Sequence, residues 1–177
     1  MIVLLGPSGS GKTTIEQELI KRGYKRAISC TTRPPRKGEK HGLNYYYISE
    51  DRFMENVQMG LMLEFKRYGD YLYGLLKSEL SNDSVVVVEP SGYKHLKNSR
   101  FNVCGCYLSC DEDIRRQRML DRGDDPETVE ERISNDKEWF QGMEDLVDII
   151  IDTSNKTIEE IIENILEQEV RIDVTRN

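Results

Sequence analysis

Four stretches of the chain are mainly apolar, and longer mixed segments separate them. They cover residues 1–5, 85–88, about 101–108 and 147–151, and the second is an uninterrupted run of four valines. A strand that is apolar at successive positions, rather than at alternate ones, is typical of a parallel sheet with helices on both faces. We therefore predict that these stretches are the buried strands of one sheet.

The segments between these strands show helix starts and helical spacing. A helix is predicted over residues 12–22, acidic residues from Asp111 onward open a second, and Pro126 opens a third. A capping box of Thr157 and Glu160 opens a fourth. The positions expected to face the core are Ile15, Leu19, Val129, Ile133, Phe140, Ile158, Ile161, Ile162, Ile165 and Leu166.

Strands that alternate with helices indicate an α/β fold with a central parallel sheet flanked by helices. Residues 29–82 interrupt this alternation, because they are rich in Arg, Lys, Gly and Tyr and contain only short strand-like pieces near 45–47 and 61–63. We predict one domain for all 177 residues, with a core formed by residues 1–28 and 83–177 and an inserted lobe between them.

The composition limits the partners that this chain can have. A net charge of −7 argues against binding nucleic acid over a broad surface, whereas small anions remain possible where basic residues cluster. No apolar run approaches the length of a membrane span and the first strand begins at Met1, so we expect a cytoplasmic protein without a membrane partner. Composition leaves open whether it is a monomer or a homodimer.

The four cysteines are expected to be reduced core residues rather than zinc ligands or disulfide partners. Cys104, Cys106 and Cys110 lack the paired spacing of common zinc sites, and Cys30 lies far from them along the chain. Cys104 and Cys106 also fall at alternate positions of a predicted buried strand, where a small apolar side chain fits well.

A glycine-rich loop follows the first strand directly. Residues 6–13 read Gly-Pro-Ser-Gly-Ser-Gly-Lys-Thr, a complete G-x-x-x-x-G-K-[ST] phosphate-binding loop between a strand and a helix. The glycines let backbone N–H groups surround phosphates, Lys12 can reach the β and γ oxygens, and the Thr13 hydroxyl can ligate Mg²⁺. The predicted ATP-binding residues are Gly6, Pro7, Ser8, Gly9, Ser10, Gly11, Lys12, Thr13 and Thr14.

Two arginines in the inserted lobe indicate a second anion site. Arg33 and Arg36 flank two prolines, which fix the backbone so that the guanidinium groups can form a rigid clamp for a phosphate. Residues 29–39, followed by Gly42 and Tyr45, resemble the nucleoside-monophosphate lobe of the guanylate kinase family of P-loop nucleoside monophosphate kinases. Later positions match that family in order and nearly in spacing, and they are Glu64, Tyr73, Arg118, Arg122 and Arg132.

The resemblance covers almost the whole chain and implies an ATP-dependent guanylate kinase. Such an enzyme converts GMP or dGMP to the diphosphate with Mg²⁺ as cofactor, and it has a lid, here at about residues 111–132. The resemblance implies that Glu64 accepts hydrogen bonds from guanine N1 and N2. The implied GMP-binding residues are Ser29, Arg33, Arg36, Tyr45, Glu64, Tyr73 and Gly74; the implied catalytic residues are Lys12, Arg118, Arg122 and Arg132; the implied metal ligands are Thr13 and Glu89.

Two positions depart from the family pattern in the expected base pocket. Leu75 stands where the family carries a serine or threonine that donates toward guanine O6, and Val87 stands where it carries an aspartate. They leave open a kinase for another nucleoside monophosphate or for a sugar phosphate. A non-catalytic module that binds nucleotide or peptide is a further alternative, although the intact Lys12 and Thr13 argue against it. Simple surface carboxylates remain alternatives for Glu64 and Glu89.

Overall fold

The computed structural model describes residues 1–176, which contain nine strands and six α-helices. The strands are β1 (Ile2–Leu5), β2 (Lys25–Arg26), β3 (Cys30–Thr31), β4 (Tyr46–Tyr47), β5 (Met62–Tyr68), β6 (Tyr71–Leu76), β7 (Ser84–Val87), β8 (Cys104–Ser109) and β9 (Ile149–Asp152). The helices are α1 (Lys12–Lys21), α2 (Glu50–Gln58), α3 (Pro90–Lys97), α4 (Glu112–Asp121), α5 (Pro126–Trp139) and α6 (Ile158–Arg176).

The larger sheet has five parallel strands in the order β2-β7-β1-β8-β9. Successive residues of a strand point to opposite faces, so the apolar strand β1 contributes to two cores. Ile2 and Leu4 join an apolar cluster with α1 and α6, whereas Val3 and Leu5 join another with α3 and Phe140. The predicted parallel sheet flanked by helices is therefore confirmed.

The smaller sheet has four strands in the order β4-β3-β6-β5, and all of them fall within residues 29–82. Strands β5 and β6 form an antiparallel hairpin whose turn contains Gly69, with a positive φ of 54°. Helix α2 covers this sheet through the fully buried Phe53, which packs with Cys30, Met62 and Leu72. The inserted segment thus has a small apolar core of its own.

Helices α4 and α5 form a pair that packs through Met119, Val129 and Ile133. The Asp125 side chain caps α5 by accepting from the Thr128 N–H at 3.1 Å, as expected for an acidic residue before a proline at the helix start. This pair supplies most of the segment predicted to be a lid. None of the helices within residues 1–176 combines the length and apolar character needed to cross a membrane.

The structure differs from the sequence-based prediction in several elements. Helices α2 and α3 were not predicted, because α2 is short and the Pro-Ser-Gly sequence that opens α3 is typical of a turn. Strand β5 continues to residue 68, whereas the apolar pattern predicted only 61–63, because the polar residues Glu64 and Lys66 interrupt that pattern where they line a cleft. The capping box of Thr157 and Glu160 is confirmed, with the Glu160 N–H donating to Thr157 Oγ1 at 3.3 Å.

The predicted core positions on α6 are mostly buried. Ile161, Ile162 and Ile165 belong to the apolar cluster beneath α1, whereas Ile158 is 46% exposed. Cys104 and Cys106 both lie inside strand β8 as buried free thiols, with their Sγ atoms 3.7 Å apart.

Candidate active site

A cleft of about 1010 Å³ opens at the carboxyl ends of β1 and β7. This is the usual ligand position in an open parallel sheet. Segments far apart in the sequence meet here: the glycine-rich loop, strands β5 and β6 of the small sheet, and helix α5. The predicted site residues that line it are Gly6, Ser8, Lys12, Thr13, Ser29, Tyr45, Glu64, Tyr73, Gly74, Glu89 and Arg132.

Nine predicted site residues do not line this cleft. They are Pro7, Gly9, Ser10, Gly11, Thr14, Arg33, Arg36, Arg118 and Arg122. Several of them support residues that do line it, as the contacts below show.

The glycine-rich loop has backbone geometry that other residues cannot adopt without strain. Gly6 has φ of 137°, and a Cβ atom there would lie 2.3 Å from the Leu108 carbonyl oxygen. Gly11 has φ of 96° and precedes the first turn of α1. The free N–H groups of that turn face the loop, which makes the helix N-terminus suited to bind phosphate.

The Lys12 ammonium group lies at the centre of the loop. Its Nζ atom donates to the carbonyl oxygens of Gly6 and Pro7 at 2.6 and 2.8 Å. Burial lowers the pKa of Lys12 to about 8, and the nearby carboxylates of Asp136 and Glu89 only partly oppose that effect. Lys12 is therefore a partly buried cation held within the glycine-rich loop.

A buried ion pair between α4 and α5 holds the backbone of Ser8 in the loop, and it was not predicted from the sequence. Asp136 accepts the Ser8 N–H at 2.7 Å, while Arg115 donates to the Ser8 carbonyl at 3.3 Å and to Asp136 at 3.2 Å. Both side chains are 7% exposed. A signal was available, because Asp136 falls on the same buried helix face as Ile133 and Phe140.

Arg118 contacts the loop from behind. Its guanidinium group donates to the Gly9 carbonyl at 3.3 Å and to the Thr153 carbonyl at 2.9 Å, and the Thr153 hydroxyl donates to the Ser10 carbonyl at 2.9 Å. Gly9 is required here, since a Cβ atom would lie 2.7 Å from the Arg115 carbonyl oxygen. In this structure Arg118 holds the loop against α4 and β9.

The other two predicted lid arginines share one carboxylate. Arg122 donates to Asp124 through Nε at 3.0 Å and through Nη2, and Arg132 donates to the same Asp124 oxygen at 3.0 Å. Asp124 thereby links the end of α4 to α5 on the side of α5 where Arg132 borders the cleft. No role of Asp124 was predicted from the sequence.

The predicted phosphate clamp contains an acid as well as its two arginines. Arg33 is buried and donates to Glu39 at 3.0 Å, and Glu39 also accepts from the Arg36 N–H at 2.7 Å and the Tyr47 hydroxyl at 2.9 Å. The hydrogen bond from Arg33 lowers the pKa of Glu39 to about 2. The Arg36 side chain is exposed, and the Arg33 guanidinium lies 5.8 Å from the Tyr45 ring centre.

Glu64 is a partly buried carboxyl group at the wall of the cleft that β5 and β6 form. It accepts from the Glu89 N–H at 3.3 Å, at the N-terminus of α3. A Cβ atom on Gly92 would come within 2.1 Å of its Oε2 atom, so the glycine makes this close approach possible. Burial, followed by repulsion from Glu89, raises the pKa of Glu64 to about 7.

Lys66 joins three parts of the molecule at the same wall. Its ammonium donates to Glu89 at 2.6 Å and lies 5.0 Å from the ring centre of Trp139, which belongs to α5. Lys66 and Trp139 line the cleft, and neither was predicted as a site residue. The predicted metal ligand Glu89 is thus paired with a lysine in this structure.

Comparison with known proteins gives a consistent result. The family model for guanylate kinase matches residues 1–169. The guanylate kinase of Thermotoga maritima is 33% identical over an alignment covering 100% of this chain and 90% of that protein, and the one from Clostridioides difficile is 34% identical over 96% and 87%.

The chain belongs to the guanylate kinase family. The sequence-based prediction of an ATP-dependent nucleoside monophosphate kinase of this family is confirmed. Solved structures support the fold: a guanylate kinase from Anaplasma phagocytophilum superposes with a TM-score of 0.69 at 21% identity, covering 94% of this chain and 82% of that one. A gluconokinase from Sinorhizobium meliloti superposes with a TM-score of 0.53 at 20% identity, covering 97% and 91%.

The two departures from the guanylate kinase pattern occupy different places. Leu75 is 2% exposed and packs in the apolar cluster with Leu63 and Tyr93, so it forms part of the core beneath the cleft. Val87 lines the cleft beside Glu89. At these two positions, this chain has apolar side chains where the family pattern predicts polar contacts to the base.

Proposed function

We propose that this member of the guanylate kinase family transfers the γ-phosphoryl group of ATP to GMP or dGMP within the cleft at the carboxyl ends of β1 and β7. The main support is that both predicted nucleotide sites border one cleft. Lys12 and Thr13 of the donor loop line it, and so do Tyr45, Glu64 and Tyr73 of the inserted lobe. Two nucleotides bound at these walls would approach each other directly, as in-line transfer requires.

The proposed roles follow from charge and position. Lys12 and backbone N–H groups of the glycine-rich loop bind the phosphates of ATP, while Arg33, Arg36, Tyr45 and Tyr73 bind the phosphate of GMP. Arg132 borders the cleft and compensates charge on the transferred group, since the transition state spreads negative charge over its oxygens. Arg122 reaches the same group when residues 111–132 close over the nucleotides and exclude water.

Magnesium fits the same proposal. Thr13 and Glu89 both present oxygen atoms to the cleft, and Mg²⁺ prefers oxygen ligands that it shares with substrate phosphates. These two residues would hold the ion, which neutralises phosphate charge when it is bound. Lys66 contacts one carboxylate oxygen of Glu89, so Glu89 would hold the ion through its other oxygen or through a water molecule.

The test is a coupled assay of ADP release with ATP and each of GMP, dGMP, IMP, AMP, CMP and UMP. We expect turnover with the two guanine nucleotides and loss of most activity in Lys12→Ala. Absence of turnover with both guanine nucleotides would refute the proposal. Preference for another nucleotide would support the first alternative, the same assay with a ribose phosphate as acceptor tests the sugar-phosphate version, and nucleotide binding without ADP formation would support a non-catalytic module.

A cytoplasmic location belongs to the same proposal, and cell fractionation tests it. Light scattering of the purified chain distinguishes the monomer from the homodimer.

A further inference from the structure

The base pocket lacks a hydrogen-bond donor at the position where the guanylate kinase family carries a hydroxyl group. Leu75 supplies no donor. Because it packs among apolar side chains, a bound water would lack polar partners there and cannot take the place of the missing hydroxyl group. A keto group of a purine base left without a partner in a closed pocket would weaken binding. A donor at this wall must therefore come from another residue.

We propose that Lys66 is a specificity-determining residue that donates to the carbonyl oxygen at position 6 of the acceptor base. This inference rests on the proposed function, because it assumes a purine nucleotide at the wall formed by Glu64 and Tyr73. Lys66 acts together with Glu64, and it takes over the task of the hydroxyl group missing at position 75.

The position of Lys66 in the hairpin supports this role. Glu64 and Lys66 are two residues apart on β5, so their side chains leave the same face of the strand. Across the hairpin, Glu64 pairs with Leu75 and Lys66 pairs with Tyr73, with Gly74 between them. The side chains of Glu64, Lys66 and Tyr73 therefore leave the same face of the hairpin, and all three residues line the cleft.

The contacts of Lys66 hold its ammonium group at the cleft. Glu89 accepts from Nζ at 2.6 Å, and the Trp139 ring lies on another side of the cation at 5.0 Å. Lys66 is 31% exposed, so these contacts restrict a side chain that would otherwise be mobile. An ammonium group has three N–H donors, which allows it to contact Glu89 and a base carbonyl together.

The order of charges along β5 matches guanine better than adenine. Guanine presents an acceptor at O6 and then donors at N1 and N2, opposite a donor at Lys66 and an acceptor at Glu64. Adenine presents an amino group at position 6, which would place a donor against the ammonium of Lys66. Such a mismatch discriminates against the wrong partner as effectively as a favourable contact selects the right one.

The experiment compares GMP with 6-thio-GMP, which keeps N1–H and N2–H but replaces O6 with sulfur, a weaker acceptor. In the unmodified protein we expect a clear preference for GMP. In Lys66→Met we expect kcat/KM for GMP to fall about 10- to 100-fold, mostly through KM, and the preference over 6-thio-GMP to disappear. The decisive quantity is the ratio of kcat/KM for GMP to kcat/KM for 6-thio-GMP. A disturbed Glu89 or a general structural defect would lower both values alike and leave the ratio unchanged.

Two further variants complete the test. Lys77→Met removes the same charge from an exposed lysine of the same lobe and should leave the ratio unchanged. Lys66→Arg keeps a donor and should retain a preference for GMP, which provides the measurement if the methionine variant does not fold. An unchanged ratio in Lys66→Met, or no preference in the unmodified protein, overturns the role of Lys66 while leaving the kinase intact. Absence of GMP turnover in the unmodified protein overturns the proposed function as well.

Discussion

The Glu64 carboxyl group is partly buried at the wall of the cleft, and desolvation raises its pKa to about 7 from its usual 4.5. Between these values the folded protein holds a proton that the unfolded chain releases, so the contribution of Glu64 to the free energy of unfolding falls as pH rises. This contribution is fully present below pH 4.5 and is lost as the pH passes 7. The residue expected to bind the base is thus also a source of pH-dependent stability.

We predict that Glu64→Gln removes this dependence. Relative to the variant, the unmodified protein should lose on the order of 2 kcal/mol of unfolding free energy between pH 4.5 and 8, because the charged carboxylate is poorly solvated. Urea unfolding at several pH values measures the difference. The matched change Glu163→Gln, on the exposed side of α6, should leave the pH profile unchanged. Parallel profiles for Glu64→Gln and the unmodified protein would contradict the prediction.

Lys12 has the opposite kind of perturbation, with a pKa lowered to about 8 by burial. Bound phosphates favour its charged form, so we predict that ATP binding weakens above pH 8, by up to about tenfold per pH unit. The KM for ATP between pH 7 and 9.5 measures this effect. Lys12→Arg keeps its charge over that range and should show a flatter profile, even if its activity is lower. A pH-independent KM for ATP in the unmodified protein would argue against the prediction.

At the scale of elements, the Arg115–Asp136 pair connects α4 and α5 to the donor loop through the backbone N–H and carbonyl of Ser8. We predict that Asp136→Ala destabilises the protein by about 3 to 5 kcal/mol, because it leaves a buried guanidinium group without its partner. The same change should raise the KM for ATP, since the Ser8 N–H loses its acceptor. Thermal or urea unfolding and steady-state kinetics measure the two effects.

A double variant separates these effects. Arg115→Met combined with Asp136→Leu replaces the ion pair by apolar groups, which should restore most of the stability. The KM for ATP should remain raised, because the Ser8 N–H and carbonyl still lack their side-chain partners. If stability and KM recover together, the pair acts only in folding and does not position the loop.

The elements also show what the sequence could and could not predict. The run of valines at 85–88 strongly favours a buried strand, and β7 was predicted to within one residue. The glycines of residues 6–13 favour a loop with positive φ angles, and the donor loop has them. Lys66 was missed because β5 was predicted only over 61–63, and without the longer strand no argument places residues 64 and 66 on one face. Asp136 and Glu39 were missed because their arginine partners are distant in sequence or were assigned to phosphate.

At the scale of the whole molecule, the cleft brings together the core, the small sheet and α5, and the contact of Lys66 with Trp139 joins the last two. Trp139 is the only tryptophan of the chain. We predict that saturating GMP changes its fluorescence, because a shift of the small sheet or of the Lys66 ammonium alters the charge beside the indole ring. Trp139→Phe should abolish the signal, and unchanged emission at saturating GMP and ATP would contradict the prediction.

Gly92 lies in α3 but affects the position of Glu64 on β5. A hydrogen atom in place of a methyl group is what lets the Glu64 carboxyl meet the first turn of α3. Anyone redesigning this enzyme for stability would be drawn to exchange that glycine for alanine, the residue with the best helix propensity. The added methyl group would displace the Glu64 carboxyl group, so a change made to stabilise a helix would also alter which substrate is preferred.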